Sequence, residues 1–545
     1  MKLKQCLLAA AVSVIGLLPA AAQRTATVAV FSINDFHCAM LQDIDLDVPG
    51  AAWVVQTLDS LKQVYPNNVT ISAGDNFGGS FYYTATRHQS LLPQMFRDMG
   101  ITLSVPGNHA FDEGQELWAD GWQSTPFCPR DWKMQYIAAN MRRDGRVPEP
   151  CQPWAVVKIP LAGTSSGENG QPREVSVAIT GLMTSNTPHQ ASARRVKGLT
   201  FDGNYSAVLD SLKTLPGYDE VARANVHILA THIGTQIVDG DIRYDDPDAD
   251  NLMAFDRDDI DGIFSAHSHV EVCGTIGSRR PYPIVQGYCR GKFVSMLLCE
   301  VDLESGRCIS CTPRLVRVNP HAQLGYKAAR LQAQIMEQCQ QTTFRGLPIT
   351  QTLTTCREDM VHNRASNTTE TRMGRLVVES YAEAYRKVAA ATPGLDEGTP
   401  AFVLGVSHFG SIRTGFRAGK VTILDVGDAL PFANALRCYR YTGRQLRELM
   451  EFGINECQLG RIQTSGLEVT LDKRGHVKRM SWRSPEGQTI EVKDNTRLVL
   501  VADDYMTTGG DGYRPAFFPA TDLIEVATPA STDAFINFLK TQDEI

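Results

Sequence analysis

Short apolar and β-branched runs recur along the first half of the chain, and each gives way to a polar loop carrying His, Asp or Asn. A run of that kind closed by a loop marks a buried strand ending at a sheet edge. Strands are therefore predicted at Thr27–Ile33, Val69–Ser72, Thr102–Val105, Val175–Thr180, Val226–Ala230 and Ile260–Phe264. Between the early strands the apolar spacing changes to that of helices, over Ala51–Gln63 and Gln89–Met99. The alternation predicts an α/β unit with layered sheets.

The pattern changes after a hairpin-like segment ending near Val318. His321–Gln340 is polar, alanine-rich and helix-periodic, as expected of a helix between domains. From Phe344 a second set of elements begins: an amphipathic helix over Thr369–Ala390, a strand at Ala401–Val406, a helix at Thr442–Phe452, and a strand at Arg497–Ala502 that runs into Thr507–Gly512. A length of 545 residues leaves room for two domains with cores of their own. The expected division is a leader at 1–22, a first domain at 23–319, a linker helix at 320–343 and a second domain at 344–545.

The leader carries a compartment signal. Lys2 and Lys4 precede an apolar stretch from Cys6 to Pro19, and Ala20-Ala21-Ala22 stand before Gln23, which is the pattern of a cleaved secretory signal. The stretch is short for a bilayer span. A secreted or periplasmic protein is expected, with no transmembrane segment in the mature chain; surface association is left open. Hydrophobic residues at 43% and charged residues at 21% suit a folded globular chain. The net charge of −7, with no long basic run, argues against a surface for duplex nucleic acid. Thirteen cysteines less Cys6 leave an even number, which permits disulfides. Cys128 and Cys151, and Cys273 and Cys289, flank loops. Cys308 and Cys311 form a lone CxxC, better explained by two strand cysteines or a local disulfide than by a zinc ribbon. None is expected to be catalytic.

Five first-domain loops hold the residue types of a two-metal site, each after a predicted strand: Asn34-Asp35-Phe36-His37, Gly74-Asp75-Asn76, Gly107-Asn108-His109-Ala110-Phe111-Asp112, Thr231-His232-Ile233-Gly234 and Ala266-His267-Ser268-His269. Side chains at several strand ends converge on one sheet edge. Carboxylate and amide oxygens beside imidazoles suit Zn, Mn, Fe or Co rather than Ca or a thiolate site. Two metals need one shared carboxylate, and Asp75 is placed to provide it. His109, next to Asn108, is free for proton transfer, and Asp112 three residues on can orient it; a loop cap is the other role open to Asp112.

These loops, followed by Gly410-Ser411-Ile412-Arg413, Leu430-Pro431-Phe432 and Gly509-Gly510-Asp511-Gly512-Tyr513, resemble the secreted 5'-nucleotidase family over nearly the whole mature chain. The resemblance implies a layered β-sandwich of the calcineurin-like metallophosphatase type, flanked by helices and joined by a helix to a mixed α/β substrate-recognition domain. It implies two divalent metals, with Zn, Mn or Co expected, one held by Asp35, His37, Asp75 and His269, the other by Asp75, Asn108, His232 and His267. In the second domain it implies that Phe432 and Tyr505 sandwich a nucleobase, that Asp511 accepts from ribose hydroxyls, and that Arg413 meets phosphate or sugar oxygens; core packing is the other role open to the two aromatics.

Several positions depart from the family. Cys38, Ala110 and Ala266 replace a common Gly, an acidic residue and a Gly, and none of these removes a ligand. His408 and Phe409 stand where Asn and Gly are usual. The helix start reads Thr371-Arg372-Met373-Gly374, and the usual upstream Arg near Asn367 is missing, with Arg372 or Arg375 as candidates to compensate. Thr507–Gly512 lacks the Lys-Ser/Thr of a P-loop. The expected activity is removal of phosphate from nucleoside 5'-monophosphates by a metal-activated water. The alternatives are the same chemistry on UDP-sugars, nucleoside di- or triphosphates or 2',3'-cyclic nucleotides, or a nucleotide-binding protein without catalysis. The sequence does not set the oligomeric state.

Overall fold

The computed structural model describes residues 25–545 apart from 45, 87–89, 113, 116–131, 163–172, 192–193, 254–256, 278–279, 363–368, 396–399 and 457–459. The predicted leader at 1–22, Cys128 and Asn367 lie outside the described residues. The first domain holds two six-stranded mixed sheets. In one, Thr25–Ile33 lies parallel to Asn68–Ser72 on one side and antiparallel to Phe293–Asp302 on the other, with Ile101–Ser104 and Gln135–Tyr136 continuing the parallel set. In the other, Glu174–Met183, Val226–His232, Gly262–Phe264 and Tyr282–Gly287 run parallel. Parallel strands deliver their C-terminal loops to a common edge, and all five metal-type loops emerge there.

Apolar side chains of both sheets fill the space between them: Val30, Ile71 and Leu297 from one, Ala230, Phe264 and Val285 from the other, all fully buried. Burial on both faces explains why these strands read as continuous apolar runs rather than as alternation. The Ala51–Val64 helix buries Ala51, Val54, Val55 and Leu58, one stripe at helical spacing.

Three helices begin later than their periodicity suggests, each for a local reason. The expected Gln89 start moves to Leu92, with Pro93 in the first turn. The expected His321 start moves to Tyr326, because Gly325 is extended and donates its N–H to Gln56 at 2.6 Å. The expected Thr369 start moves to Arg372, because Thr371 is extended and its hydroxyl caps the helix by accepting from the Gly374 N–H at 2.9 Å.

The second domain is built on a five-stranded sheet in which Arg497–Asp503 lies between Val403–Ser407 (parallel) and Leu436–Thr442 (antiparallel). Its core is continuous with that of the first domain: Val377, Ile423 and Phe535 belong to the same buried cluster as Phe31 and Leu58. The contact between domains is close at Gly427, where a Cβ would stand 1.9 Å from the ring of Phe81. Phe81 in turn meets Phe344 edge-on at 4.9 Å.

No disulfide joins the described cysteines. Cys308 and Cys311 are free thiols on the strand Cys308–Arg317, and Cys151, Cys273 and Cys289 are also free. Cys311 faces Cys299 on the neighbouring strand, with the sulfurs 3.4 Å apart. Among the described residues no helix is long and apolar enough to cross a membrane.

Candidate active site

The loops at the sheet edge are stitched to one another by their backbones. Asp35 N–H donates to Gly74 O, His37 N–H to Asp75 O, Cys38 N–H to Asn76 O, and Asp75 N–H to Pro106 O, at 2.8–3.2 Å. Asp35, His37, Cys38, Asp75, His267 and His269 all take positive φ, between 46° and 75°. A non-glycine residue in that region costs on the order of 1–3 kcal/mol, and persists only where its surroundings hold it. The cost is concentrated on the residues whose side chains converge.

The ligand-type side chains form two clusters, linked by a third grouping of His37, Asp75 and His109. Ligand atoms of Asp35, His37 and His269 lie within 4.8 Å of one another, as do those of Asp75, His232 and His267. Asn108 joins the second, its Oδ1 2.9 Å from His267 Nδ1 and 3.2 Å from His232 Nε2. His37 Nδ1 donates to Gly78 O at 3.1 Å, and His232 Nδ1 donates to Ala73 O at 2.9 Å. In its neutral form each ring therefore presents Nε2 as a lone pair. His37 Nε2 lies 3.1 Å from His269 Nε2, and His269 Nε2 lies 3.4 Å from Asp35 Oδ1. His232 Nε2 lies 3.1 Å from Asp75 Oδ2.

Acceptors converge on acceptors at two adjacent points, an arrangement that a cation at each point satisfies. The titration behaviour divides the rings into neutral donors and one that holds charge. Burial, and then the neighbouring His109, press His37 well below the ordinary imidazole range. Burial and His232 press His267 down to about 3. Burial also opposes charge on His232, but Asp75 and Asp35 outweigh it and raise its pKa to about 9. Burial raises Asp35, while for Asp75 the same burial is overcome by His232 and His109, which hold it well below the usual carboxylate range. The mixed oxygen and nitrogen donor set fits a pair of divalent transition cations.

His109 stands at the mouth of this site. Its backbone N–H donates to Asp75 Oδ1 at 2.9 Å, and its Nδ1 lies 2.8 Å from Asp112 Oδ2. Asp112 Oδ2 also accepts the Gly79 N–H at 2.8 Å, so the carboxylate is fixed while it orients the ring. Burial disfavours charge on His109, but Asp112 and Asp75 more than compensate and raise its pKa.

The second domain reaches the same place. The Phe432 ring stacks on His109, and the Arg413 guanidinium lies 5.7 Å from the centre of the Phe432 ring. Tyr505 stacks instead toward His408, with ring centroids 5.3 Å apart. Its hydroxyl donates to Asp511 Oδ1 at 3.1 Å, while His408 Nδ1 pairs with Asp511 Oδ2. Phe409 stacks on His362 with centroids 4.0 Å apart. Arg372 and Arg375 are not drawn into this cluster: Arg372 pairs with Glu358, and Arg375 is exposed near Glu370.

Two further residues shape the site without standing out as ligands in the sequence. Asn34 donates its amide to Asp35 Oδ2 at 2.7 Å and to Tyr288 O at 2.6 Å, and accepts from Gly287 N–H. Gln286 is fully buried and holds Ser268 at 3.0 Å. Asn34 sits inside a motif, but Gln286 lies within a strand that reads as core.

Residues 30–271 match the calcineurin-like phosphoesterase family, and residues 348–518 match the 5'-nucleotidase C-terminal domain. The chain thus joins a domain of the calcineurin-like phosphoesterase type to one of the 5'-nucleotidase C-terminal type. The chain belongs to the 5'-nucleotidase family, which joins these two domains. It is 23% identical to the trifunctional nucleotide phosphoesterase protein of Bacillus subtilis, over 89% of this chain and 32% of that one. It is 22% identical to an endonuclease of the same organism, over 94% and 40%. The chain therefore spans less than half the length of these two relatives. It is 23% identical to the 5'-nucleotidase of Mus musculus, over 89% and 83%. A 5'-nucleotidase precursor from Thermus thermophilus shares the fold, with a TM-score of 0.69 at 20% identity over 95% and 97% of the two chains.

Proposed function

We propose that this enzyme is a secreted two-metal phosphohydrolase that removes phosphate from nucleoside 5'-monophosphates. The observation that carries the proposal is the pair of adjacent donor clusters, Asp35-His37-His269 and Asp75-His232-His267, with His37, Asp75 and His109 grouped between them and Phe432 stacked on His109. Asp35, His37, Asp75 and His269 would hold one cation and Asp75, Asn108, His232 and His267 the other, with Zn, Mn or Co suited to the donors. When bound, such a pair supplies Lewis acidity toward phosphoryl oxygens and a water of lowered pKa.

The chain's own residues do the remainder. With Nδ1 committed to Asp112, the Nε2 of His109 is left to give a proton to a phosphoryl or leaving-group oxygen. Phe432, partly exposed, offers an aromatic surface for a base, and Arg413 beside it offers charge for phosphate or sugar oxygens. Asp511 supplies a carboxylate already fixed by Tyr505 and His408.

A second reading has its own observation. Both oxygens of Asp511 carry an internal partner, and His408 and Phe409 fill positions that are smaller in the family, so the recognition pocket differs where a base edge would be read. That difference favours keeping UDP-sugars, nucleoside di- or triphosphates and 2',3'-cyclic nucleotides as substrates of the same metal chemistry. The test is phosphate release from AMP, ATP, a UDP-sugar, a 2',3'-cyclic nucleotide and p-nitrophenyl phosphate, after chelation and after return of Mn, Co or Zn. Hydrolysis of AMP above the other esters supports the first reading. Full activity in protein shown by elemental analysis to be metal-free would sink the metal chemistry altogether.

A further inference from the structure

Three imidazoles of the site are oriented by a bond at the nitrogen that faces away from it. His37 and His232 donate Nδ1–H to the carbonyls of Gly78 and Ala73 and present Nε2. His267 is turned the other way: Nδ1 faces the site, 2.9 Å from Asn108 Oδ1, and Nε2 faces out. The group at that outer nitrogen is the side-chain amide of Gln190, 2.9 Å away. A neutral imidazole has one N–H and one lone pair, so a ring that offers Nδ1 to a cation must carry its hydrogen on Nε2, and that hydrogen needs an acceptor.

Gln190 can be that acceptor. As drawn, its Nε2 faces the ring and its Oε1 is buried without a donor. Amide oxygen and nitrogen have nearly the same shape, and a half-turn of the amide brings Oε1 onto His267 Nε2. The position of the helix that carries it is set firmly. Gln190 ends the short helix Thr187–Gln190, whose Thr187 hydroxyl donates to Thr184 O at 2.7 Å. Thr184 N–H donates to His232 O at 2.9 Å, and its hydroxyl donates to the buried Asp246 at 2.7 Å. On its other side the helix lies against the Gly510–Gly512 turn of the second domain.

We propose that Gln190 is a positioning residue: its amide oxygen accepts the Nε2 hydrogen of His267 and so fixes the tautomer and ring orientation that present Nδ1 to a metal. The assignment rests on the reading of His267 as a metal ligand. Partners of this kind are worth about 10–100-fold in metal affinity.

The experiment measures metal stoichiometry and affinity by competition with a chromophoric chelator, using Mn or Zn, for wild type, Gln190→Ala, Gln190→Glu and His267→Ala. Circular dichroism establishes that each variant is folded. One of two metal equivalents should weaken about 10–100-fold in Gln190→Ala. Gln190→Glu, which keeps an acceptor at the same reach, should bind both metals close to wild type, and His267→Ala should lose the same equivalent. Wild-type affinity in Gln190→Ala alongside loss in His267→Ala would overturn the role of Gln190 and leave the metal reading standing. Equal weakening in the Ala and Glu variants would overturn the acceptor role. Two metals bound as in wild type by His267→Ala would overturn the metal reading itself.

Discussion

The rings of His109 and Phe432 lie 11° from parallel with their centroids 5.8 Å apart, one from each domain. The candidate proton donor and the candidate base platform are thus neighbours. Phe432 should therefore matter in two ways, and Tyr505 in one. Removing either ring should cost about 1–3 kcal/mol of base stacking. That loss appears in kcat/KM for AMP and spares p-nitrophenyl phosphate, which has no base. Phe432→Ala should also slow the small ester, because His109 loses its packing partner, whereas Tyr505→Ala should leave that ester near wild type. An AMP to p-nitrophenyl phosphate ratio unchanged in both variants would remove the base-clamp role.

His109 itself should behave as an acid. His109→Ala is expected to lower kcat by about 10²–10⁴ while both metals remain bound, since its side chain makes no bond that the two donor clusters need. Asp112→Asn should reproduce part of the loss, because the neutral amide keeps an oxygen near Nδ1 but gives up the charge that favours the protonated ring. Steady-state kinetics paired with elemental analysis separates the two effects. Metal loss in His109→Ala would show that the ring is structural to the centre.

The sequence reveals most where local chemistry and position coincide. Asp35, Asp75, Asn108, His232 and His267 each follow an apolar strand, and a strand end is a place that pattern alone locates. The second domain was less legible for a physical reason. His408 is visible as a residue out of pattern, but its partner Asp511 comes from a distant turn, and nothing local pairs them. Gln190 is harder still: it ends a short polar helix with no pattern of its own, and its meaning comes from which nitrogen of His267 faces the site. Helix starts moved because caps outrank periodicity; Thr371 holds an extended backbone that the apolar stripe over Thr369–Ala390 does not register.

Stability should depend on pH through a pair remote from the site. His227 is half-buried, its Nδ1 3.6 Å from Asp261 Oδ2 and its Nε2 donating to Val221 O at 3.0 Å. Burial opposes its charge, but Asp261 prevails and raises its pKa above the ordinary imidazole value. A folded-state pKa above the unfolded one means that the folded chain holds the proton more tightly. The resulting stability is fully present below the unfolded pKa of about 6.5 and is lost as pH rises through the folded value. Thermal unfolding of wild type and His227→Gln should therefore differ more in mild acid than in mild alkali. Both proteins share the same candidate metal site, so its own pH response cancels in the comparison. A gap that widens with rising pH would contradict the assignment.

Asp75 groups with His232 and His267 in one donor cluster and lies within ligand reach of His37 from the other, and its position depends on a neighbour with no side chain. Gly107 has φ +84°, and a Cβ there would stand 2.1 Å from Asp75 Oδ1 and 2.5 Å from its backbone nitrogen. The left-handed backbone alone costs a substituted residue about 1 kcal/mol or more. The contact adds a displacement of the carboxylate, because the backbone nitrogen of Asp75 is tied to Pro106 O and cannot retreat freely. Gly107→Ala should therefore act as a milder Asp75→Asn. The direct substitution keeps the shape and removes the charge, so it should lose metal by weakening attraction to both cations. The glycine variant keeps the charge and moves it, so it should bind metal with lower affinity and recover activity as Mn or Zn is raised. Titrating activity against free metal in both variants distinguishes these: a shifted midpoint with a restored plateau for Gly107→Ala, and a depressed plateau for Asp75→Asn. Wild-type metal affinity in Gly107→Ala, with a folded chain, would mean that Gly107 does not set the position of Asp75.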